Sequence, residues 1–269
     1  MCSRSEWLLF PVFYAVRNEF MTTTKKRYLE TAPQIDVEEF RKVVQSRRSV
    51  RKFDDTPIPD AVLNDCIDMA LLAPNSSNLQ PWEFHVVKTP ALQKELADAC
   101  LAQNAATTAK ALVVIVARLD TWHEHSDMML DAWPLETAMP KIVDNYYRKF
   151  AKIHYTQGPL NTFGFGKRAF AAVAGLKRAV PRGPFTHADM RVWAAKTVAL
   201  ASENFMLAMR AHGFDTCPME GFDEHRVRRM LNLSGDSFVV MVVGCGKRAP
   251  DGIYHPRIRF ERSRFVKEH

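Results

Sequence analysis

Apolar residues recur along the chain at intervals that predict several helices. The first helix is expected just after Asp36, whose carboxylate suits an N-cap, with Glu39 three residues later. A second apolar stripe runs through residues 62–71, and another helix is expected from residue 90 to about residue 102. The longest candidate covers residues 189–212 and is apolar on most sides, so it is expected to be buried in the core or against a partner subunit.

Short apolar runs predict the strands. Residues 82–87 and 238–243 are read as strands, and the continuous apolar run at 112–117 is typical of a strand covered on both faces. Helices and strands do not alternate in a strict β-α-β order, which favours an α+β fold with helices packed around a central sheet. We predict a single domain over residues 35–269, with an insertion of helices and a mobile loop at about 119–187.

The N-terminal residues and the cysteines bear on where the protein works. Residues 1–34 are expected to be an extension, either flexible or an arm, and Pro11 interrupts their apolar stretch, so an exported leader is not expected. No run approaches the roughly 18 apolar residues of a membrane span. The five cysteines are scattered without a CxxC pair, which is typical of reduced thiols in a cytoplasmic protein.

The charge of the chain permits nucleic-acid binding but does not favour it. The formal net charge is +7, yet the basic residues are scattered and no nucleic-acid-binding signature accompanies them. We therefore expect a generally basic surface, and a nucleic-acid-binding protein remains the alternative. His123 and His125 lack a third ligand at matched spacing, so no metal site is predicted.

A cluster of arginines follows the first predicted helix. Arg47 and Arg51 share a face if the helix continues, whereas Arg47, Ser49 and Arg51 point one way if the chain is extended. Either geometry gathers guanidinium groups and a hydroxyl, a donor set that suits a phosphate. Taken alone, the cluster would be better explained as a solvated basic turn.

Three further stretches offer groups that suit a cofactor. The loop APNSSNLQPWEF at residues 73–84 carries neutral donors and acceptors, which suit a polyhydroxyl chain and a heteroaromatic edge, although turns favour Asn and Ser in any case. In CPMEGFDEHRV, Gly221 lets the backbone approach a flat ligand and Asp223 can cap a helix. In HPRIRF near the C-terminus, Arg257 and Arg259 project to one side of an extended tail.

Together these motifs resemble the nitroreductase family, the dimeric FMN-dependent NAD(P)H oxidoreductases. The resemblance covers about residues 35–265 and rests on the order and spacing of the four motifs, because each is weak alone. It implies a nitroreductase-like α+β fold, with a central, mostly antiparallel sheet surrounded by helices. It also implies a homodimer with flavin sites at the interface, and a small-molecule acceptor. Neither nucleic acid nor a membrane is expected as a partner.

The resemblance also implies which residues bind the cofactor. Arg47 and Ser49 would hold the FMN phosphate together with the C-terminal arginines, and Arg51 would stabilise charge at the N1–C2=O edge of the flavin. The residues that would bind FMN are Arg47, Arg48, Ser49, Arg51, Asn75, Ser76, Asn78, Gln103, Glu220, Gly221, Arg257 and Arg259. Asn75 stands where several relatives have serine, which changes one contact within a polar lining.

Other contacts follow from the same resemblance. The loop at 75–78 would reach the flavin of the other subunit, and Gln103 or Asn104 would meet the pyrimidine edge. Glu220 and Gly221 would lie near N5, largely through their backbone. Phe163 and Phe165, in a glycine-interrupted loop predicted at 157–166, are the expected pair of substrate-gating side chains.

The implied reaction uses NAD(P)H to reduce nitroaromatic, quinone or similar acceptors by ping-pong hydride transfer. Flavin N5 is then the reactive centre, so no dedicated catalytic side chain and no metal are expected. Two alternatives remain: a flavin enzyme of the same fold with a specific metabolite substrate, such as an enone reductase or reductive dehalogenase, and a flavin-binding protein without turnover.

Overall fold

The computed structural model describes residues 30–134 and 138–269. Residues 1–29 of the predicted N-terminal extension lie outside the described residues, and the division of the chain into an extension and one domain stays a prediction. In chain order, the α-helices are α1 (Val37–Ser46), α2 (Asp60–Leu71), α3 (Pro90–Ala99), α4 (Asn104–Thr107), α5 (Trp122–Asp131), α6 (Lys141–Asn145), α7 (Ala151–Tyr155), α8 (Thr162–Ala174), α9 (His187–Ala211) and α10 (Glu224–Met230). The strands are β1 (Trp82–Val87), β2 (Ala111–Arg118), β3 (Asp215–Met219) and β4 (Ser237–Gly246).

The four strands form one sheet in the order β1-β2-β4-β3, and every neighbouring pair is antiparallel. Three of the strands were predicted, and the α+β class with an antiparallel sheet is confirmed. The fourth, β3, was missed because it is short and contains Pro218, which normally argues against a strand. Pro218 is tolerated because β3 lies at the edge of the sheet, where the missing N–H removes no bond from a second neighbour.

Strand β2 separates two hydrophobic cores. Val113, Ile115 and Ala117 pack into one core, which includes residues of α2 and α9, while the intervening Leu112 and Val114 pack into the other, on the side of α3. Alternate residues of a strand point to opposite faces. A strand covered on both faces must therefore be apolar throughout, which confirms the prediction from its continuous apolar run.

The helix ends follow local capping chemistry. The Asp36 carboxylate accepts hydrogen bonds from the backbone N–H groups of Glu38 and Glu39 at 2.8 and 3.3 Å, as predicted for the start of α1. The long helix α9 begins two residues before the predicted start, behind a reciprocal capping box between Thr186 and Asp189. It ends before Gly213, which has a φ of 83° that only glycine adopts readily.

The prediction of a loop around Phe163 and Phe165 is wrong, because both residues lie on helix α8. Gly164 and Gly166 interrupt this stretch of the sequence, which was therefore predicted to be a loop. A Cβ at Gly164 would lie 1.6 Å from the carbonyl oxygen of Phe185, so close packing of the helix on that segment requires glycine there. Helix packing therefore outweighs the roughly 1 kcal/mol by which glycine disfavours a helix.

Candidate functional site

The segment after α1 is extended, which decides between the two geometries left open by the sequence. Helix α1 ends at Ser46, and Arg47 has extended backbone angles. Val50 then donates its N–H to the carbonyl oxygen of Thr216 in β3 at 3.1 Å, and Arg51 donates to the carbonyl oxygen of Gly252 at 2.7 Å. Val50 is buried, so Ser49 and Arg51 on either side of it project outward together.

A buried carboxylate fixes the position of this segment. Asp215 accepts hydrogen bonds from Arg248 Nε at 2.7 Å and from Arg210 Nη1 at 2.9 Å, and its side chain is almost completely buried. At a distance of 3.1 Å, Arg248 also donates to the carbonyl oxygen of Ser46, the last residue of α1. The pair of arginines compensates the buried charge, and the point where the chain leaves the helix is held against β3.

The C-terminal tail runs directly beside the arginine segment. A Cβ at Gly252 would lie 2.4 Å from the carbonyl oxygen of Lys52, so only glycine permits this approach. Arg257 donates to the carbonyl oxygen of Arg47, while Arg48 donates to that of His255. The arginine segment (residues 47–51) and the C-terminal tail thus each supply an arginine that hydrogen-bonds to the backbone of the other.

The two stretches line an open pocket of about 400 Å³. Its lining consists of Arg47, Arg48, Ser49, Arg51, Ile253, Tyr254, His255, Pro256, Arg257, Ile258 and Arg259. No carboxylate within the part of the chain that the structure describes belongs to this lining, although Arg47 Nε lies 3.9 Å from Glu203 on α9. Five guanidinium groups and a serine hydroxyl in one cavity form a donor set for an anion such as a phosphate monoester.

The like charges that line the pocket repel one another. The pKa of Arg257 lies below its ordinary value, first because its guanidinium is partly desolvated and then because Arg259, Arg48 and Arg47 carry like charge. A bound phosphate would offset this repulsion. The residues present therefore fit the phosphate end of FMN.

Cys217, which follows Thr216 on β3, is not equipped for nucleophilic chemistry. Burial raises the pKa of its thiol, although the nearby charges of Arg51 and Arg47 act in the opposite direction. The thiol therefore stays protonated at neutral pH, and thiolates rather than thiols are nucleophiles. The described cysteines are free and buried.

Two predicted site residues meet at one side of this region. Gln103 Nε2 donates to the carbonyl oxygen of Gly221 at 2.9 Å and to that of Cys100 at 3.0 Å. The neighbouring Asn104 donates to the hydroxyl of Tyr254 at 2.8 Å, and Tyr254 lines the pocket. Tyr254 was missed by the sequence interpretation, although it lies just before the HPRIRF motif that was singled out.

The loop at residues 73–84, called the polar loop below, forms a short 3₁₀ turn at Ser76–Asn78. Asn75 Oδ1 accepts from the backbone N–H of Gln80 at 2.8 Å, and Asn75 Nδ2 contacts Asn78 Oδ1 at 3.3 Å. Ser77 and Asn78 have φ angles of 61° and 50°, in the left-handed region. The amides that were expected to line a cofactor thus also shape their own loop.

Some of the predicted site residues do not belong to the lining of the arginine pocket within a single chain. These residues are Asn75, Ser76, Asn78, Gln103, Phe163, Phe165, Glu220 and Gly221. The structure therefore brings together the arginines and Ser49 from opposite ends of the chain. It leaves the polar loop and the aromatic pair elsewhere on the same molecule.

The sequence model of the nitroreductase family matches residues 44–247 of this chain. The chain belongs to the nitroreductase family. The match spans the arginine segment, the polar loop and β3, but ends before the tail that supplies Arg257 and Arg259. The family and the fold predicted from the four motifs are thereby confirmed.

Individual proteins resemble the chain over most of its length. A Thermus thermophilus protein named NADH dehydrogenase is 29% identical over 216 residues, which cover 80% of this chain and 90% of that protein. A solved structure from Exiguobacterium sibiricum, described as a nitroreductase in complex with FMN, has a TM-score of 0.61 at 23% identity and covers 89% of this chain and 99% of that chain.

A third protein is described as an enone reductase of gut-bacterial fatty acid saturation. Its structure has a TM-score of 0.63 at 21% identity and covers 85% of this chain and 97% of that chain. Below 25% identity, both structural likenesses show the nitroreductase-like fold.

None of the described helices is both long and apolar enough to cross a membrane.

Proposed function

We propose that this family member is an FMN-dependent oxidoreductase that uses NAD(P)H to reduce nitroaromatics, quinones or similar acceptors. The observation that carries the proposal is the pocket in which arginines from both ends of the chain surround Ser49. A related structure contains FMN, and a relative is named NADH dehydrogenase, which supports the choice of cofactor and of electron donor.

In this proposal the pocket binds the phosphate of FMN. Arg47, Ser49, Arg257 and Arg259 donate to its oxygens, with Arg48 close by. Their donor geometry suits a tetrahedral anion because a guanidinium presents paired N–H groups in a fixed fork. The hydrogen bonds from Arg257 and Arg48 to opposing backbone carbonyls orient these forks before the anion arrives.

Arg51 is proposed to stabilise charge at the N1–C2=O edge of the flavin. When bound, FMN supplies hydride chemistry, taking two electrons from NAD(P)H and passing them to the acceptor in separate, ping-pong half-reactions. The Arg51 backbone is anchored to Gly252, so its guanidinium side chain starts from a fixed point. A fixed cation beside developing negative charge lowers the barrier for hydride arrival.

The remaining contacts are proposed from two subunits. Asn75, Ser76 and Asn78 lie outside the arginine pocket of their own chain, which supports the proposal that they line the flavin of the partner. Gln103, Asn104, Glu220 and Gly221 are proposed along the ring edge. Phe163 and Phe165 are exposed on α8, where they are available to shape the acceptor site.

We propose that the protein is a homodimer because helix α1 carries an apolar face that the described residues of its own chain leave exposed. Val37, Phe40 and Val44 repeat on one side of α1, yet none of its residues is buried, and Phe40 is 54% exposed. Val192 and Leu200 on α9 are exposed as well. A second copy would cover these side chains and bring the polar loop to the flavin.

The dimer can be tested by placing a charge on this face. Phe40→Asp is expected to raise the dimer dissociation constant at least tenfold in sedimentation velocity, because it puts a carboxylate into an apolar interface. Gln45→Asp introduces the same charge on another side of the same helix and is the control. Equal dissociation constants for the two variants would contradict the proposed interface.

The proposed activity is tested by the visible spectrum of the purified protein under anaerobic conditions. A flavin spectrum that bleaches on addition of NADH or NADPH, and returns on addition of a quinone or nitroaromatic, is expected. A yellow protein that neither reductant bleaches would instead be a flavin-binding protein without turnover. A colourless protein that does not bind added FMN, and that purifies with nucleic acid, would refute the proposal.

A second candidate is an enone reductase with a specific metabolite substrate. The structural likeness to the enone reductase is what favours it, and the phosphate pocket serves both candidates equally. A panel of quinones, nitroaromatics and α,β-unsaturated ketones separates the two by kcat/KM. In either case we propose a cytoplasmic protein, in keeping with its free, buried cysteines.

A further inference from the structure

Three tyrosines of the insertion converge on the polar loop. The Tyr155 hydroxyl lies 2.9 Å from Ser77 Oγ and 3.1 Å from Ser76 Oγ, and the Tyr146 hydroxyl lies 2.5 Å from Ser77 Oγ. Tyr147 donates its hydroxyl to the backbone carbonyl of Ser77 at 2.9 Å. Ser77 is thus contacted by all three tyrosines, through both its side chain and its backbone.

The local backbone brings two consecutive tyrosines to the same serine. Residues Tyr146–Phe150 form a π-helical turn between α6 and α7. The wider turn allows the rings of Tyr146 and Tyr147 to meet edge to face, with centroids 5.2 Å apart, while both hydroxyls reach Ser77. Single π-turns inside helices are uncommon and occur frequently at functional sites.

The third tyrosine is held rigidly. Tyr155 is almost completely buried, and its ring packs against Trp193 at 4.8 Å and Trp122 at 6.0 Å between centroids. Burial also raises the pKa of Tyr146 and of Tyr147, so both hydroxyls stay protonated and able to donate. The hydroxyls therefore present a fixed hydrogen-bonding surface to the loop.

The loop needs such a surface because its backbone is strained. Ser77 and Asn78 both have left-handed φ angles, which persist in residues other than glycine only where surrounding contacts hold them. Asn78 is in addition contacted by Met129 Sδ at 3.2 Å, and His125 Nδ1 lies 2.6 Å from the carbonyl oxygen of Leu79. The side of the loop that faces the insertion is therefore held at several points.

We propose that Tyr146 and Tyr155 are positioning residues for the flavin, acting through Ser77 on the conformation of Asn75–Asn78. The inference rests on the proposed function, in which Asn75, Ser76 and Asn78 line the ribityl chain and ring. It assigns the insertion a role in binding the part of FMN that lies away from the phosphate. Loss of the hydroxyls should then weaken the ribityl and ring contacts and leave the arginine pocket unchanged.

This separation gives a specific signature in ligand binding. Tyr155→Phe and Tyr146→Phe are expected to raise the dissociation constants of FMN and of riboflavin by the same factor, about three- to tenfold, since each removes one or two hydrogen bonds. Riboflavin lacks the phosphate, so an equal factor locates the defect away from the arginines. Flavin fluorescence quenching gives both constants, and visible circular dichroism reports the ring environment.

Two further variants separate positioning from a general loss of stability. Ser77→Ala removes the hydrogen bonds from Ser77 Oγ to Tyr146 and Tyr155 without altering the packed tyrosine rings, and is expected to reproduce the shift. Ser202→Ala is the control, because it removes a fully buried hydroxyl whose hydrogen bond goes to the carbonyl oxygen of Val198 in its own helix, at 2.8 Å.

The outcomes of this experiment are distinct. If wild-type protein binds FMN and Ser77→Ala binds both ligands as wild type does, the positioning role is refuted while the proposed function stands. The same holds if Ser202→Ala shifts both constants equally, because the effect is then one of stability. If wild-type protein binds no flavin, the proposed function itself fails.

Discussion

The arginine pocket makes a quantitative prediction for Arg257→Gln. Arg257 lines the pocket from the tail and is repelled by Arg259, Arg48 and Arg47 when no anion is present. Glutamine keeps much of the side-chain length and a hydrogen-bond donor, and removes the charge. The substitution therefore tests whether charge from the C-terminal tail contributes to phosphate binding.

The magnitude follows from the value of a charged hydrogen bond. Such a bond contributes roughly 1.5–3 kcal/mol, so the dissociation constant of FMN is expected to rise roughly tenfold to 150-fold. In the protein without ligand, the lost bond from Arg257 to the carbonyl oxygen of Arg47 is offset by relief of repulsion. The free energy of unfolding of the apoprotein should therefore change little.

The assay compares FMN with riboflavin by fluorescence quenching. Arg257→Gln is expected to raise the dissociation constant of FMN alone, because riboflavin has no phosphate. Arg262→Gln, in the same tail but outside the pocket lining, is the control and should leave both constants unchanged. If Arg257→Gln leaves the FMN constant unchanged, or shifts both ligands equally, the phosphate assignment is wrong.

Three further predictions concern stability, each measured by urea unfolding. Gly164→Ala is expected to destabilise the fold by about 1–3 kcal/mol, since its Cβ would lie 1.6 Å from a backbone oxygen. A Cβ at Gly166 would meet no described atom within 4 Å, so Gly166→Ala should stabilise α8 by up to about 1 kcal/mol. Similar effects of the two substitutions would contradict the packing argument. Asp215→Asn should cost roughly 3–5 kcal/mol because it leaves two arginines without their buried counter-charge, and a cost below about 1 kcal/mol would show that this contact is dispensable. Burial, followed by a nearby lysine charge, lowers the pKa of His154 from 6.5 to about 4, so between these values the unfolded chain binds a proton that the folded chain does not. The free energy of unfolding should fall by about 2 kcal/mol from pH 6.5 to 4.5 relative to His154→Gln, and an equal fall in both proteins would refute the assignment.

Local chemistry explains why much of the fold was predictable. The apolar run in β2 had to be a strand covered on both faces, because alternate residues enter two different cores. The start of α1 follows from the Asp36 carboxylate, and the end of α9 follows from Gly213. In each case the residues that decide the structure are neighbours in the sequence.

The failures have the opposite cause. Strand β3 contains Asp215 and Pro218, and it is a strand because β4 pairs with it along one edge. Helix α8 was predicted to be a loop because of Gly164. Glycine is required at this position because the backbone of Phe185, about twenty residues away, packs directly against it. Neither partner is visible in the local pattern.

For the candidate site, too, some features follow from the sequence alone and others from the tertiary structure. The sequence by itself determined which residues are proposed to bind the cofactor: the arginines, Ser49 and the polar loop stand out because they gather many donor groups in short stretches. Only the tertiary structure decided that Arg47 and Arg257 line one cavity, that Asp215 and Arg248 hold the arginine segment against β3, and that tyrosines of the insertion contact Ser77. The physical reason is that donor chemistry is a property of single residues, whereas their convergence depends on packing between segments separated by up to about two hundred positions.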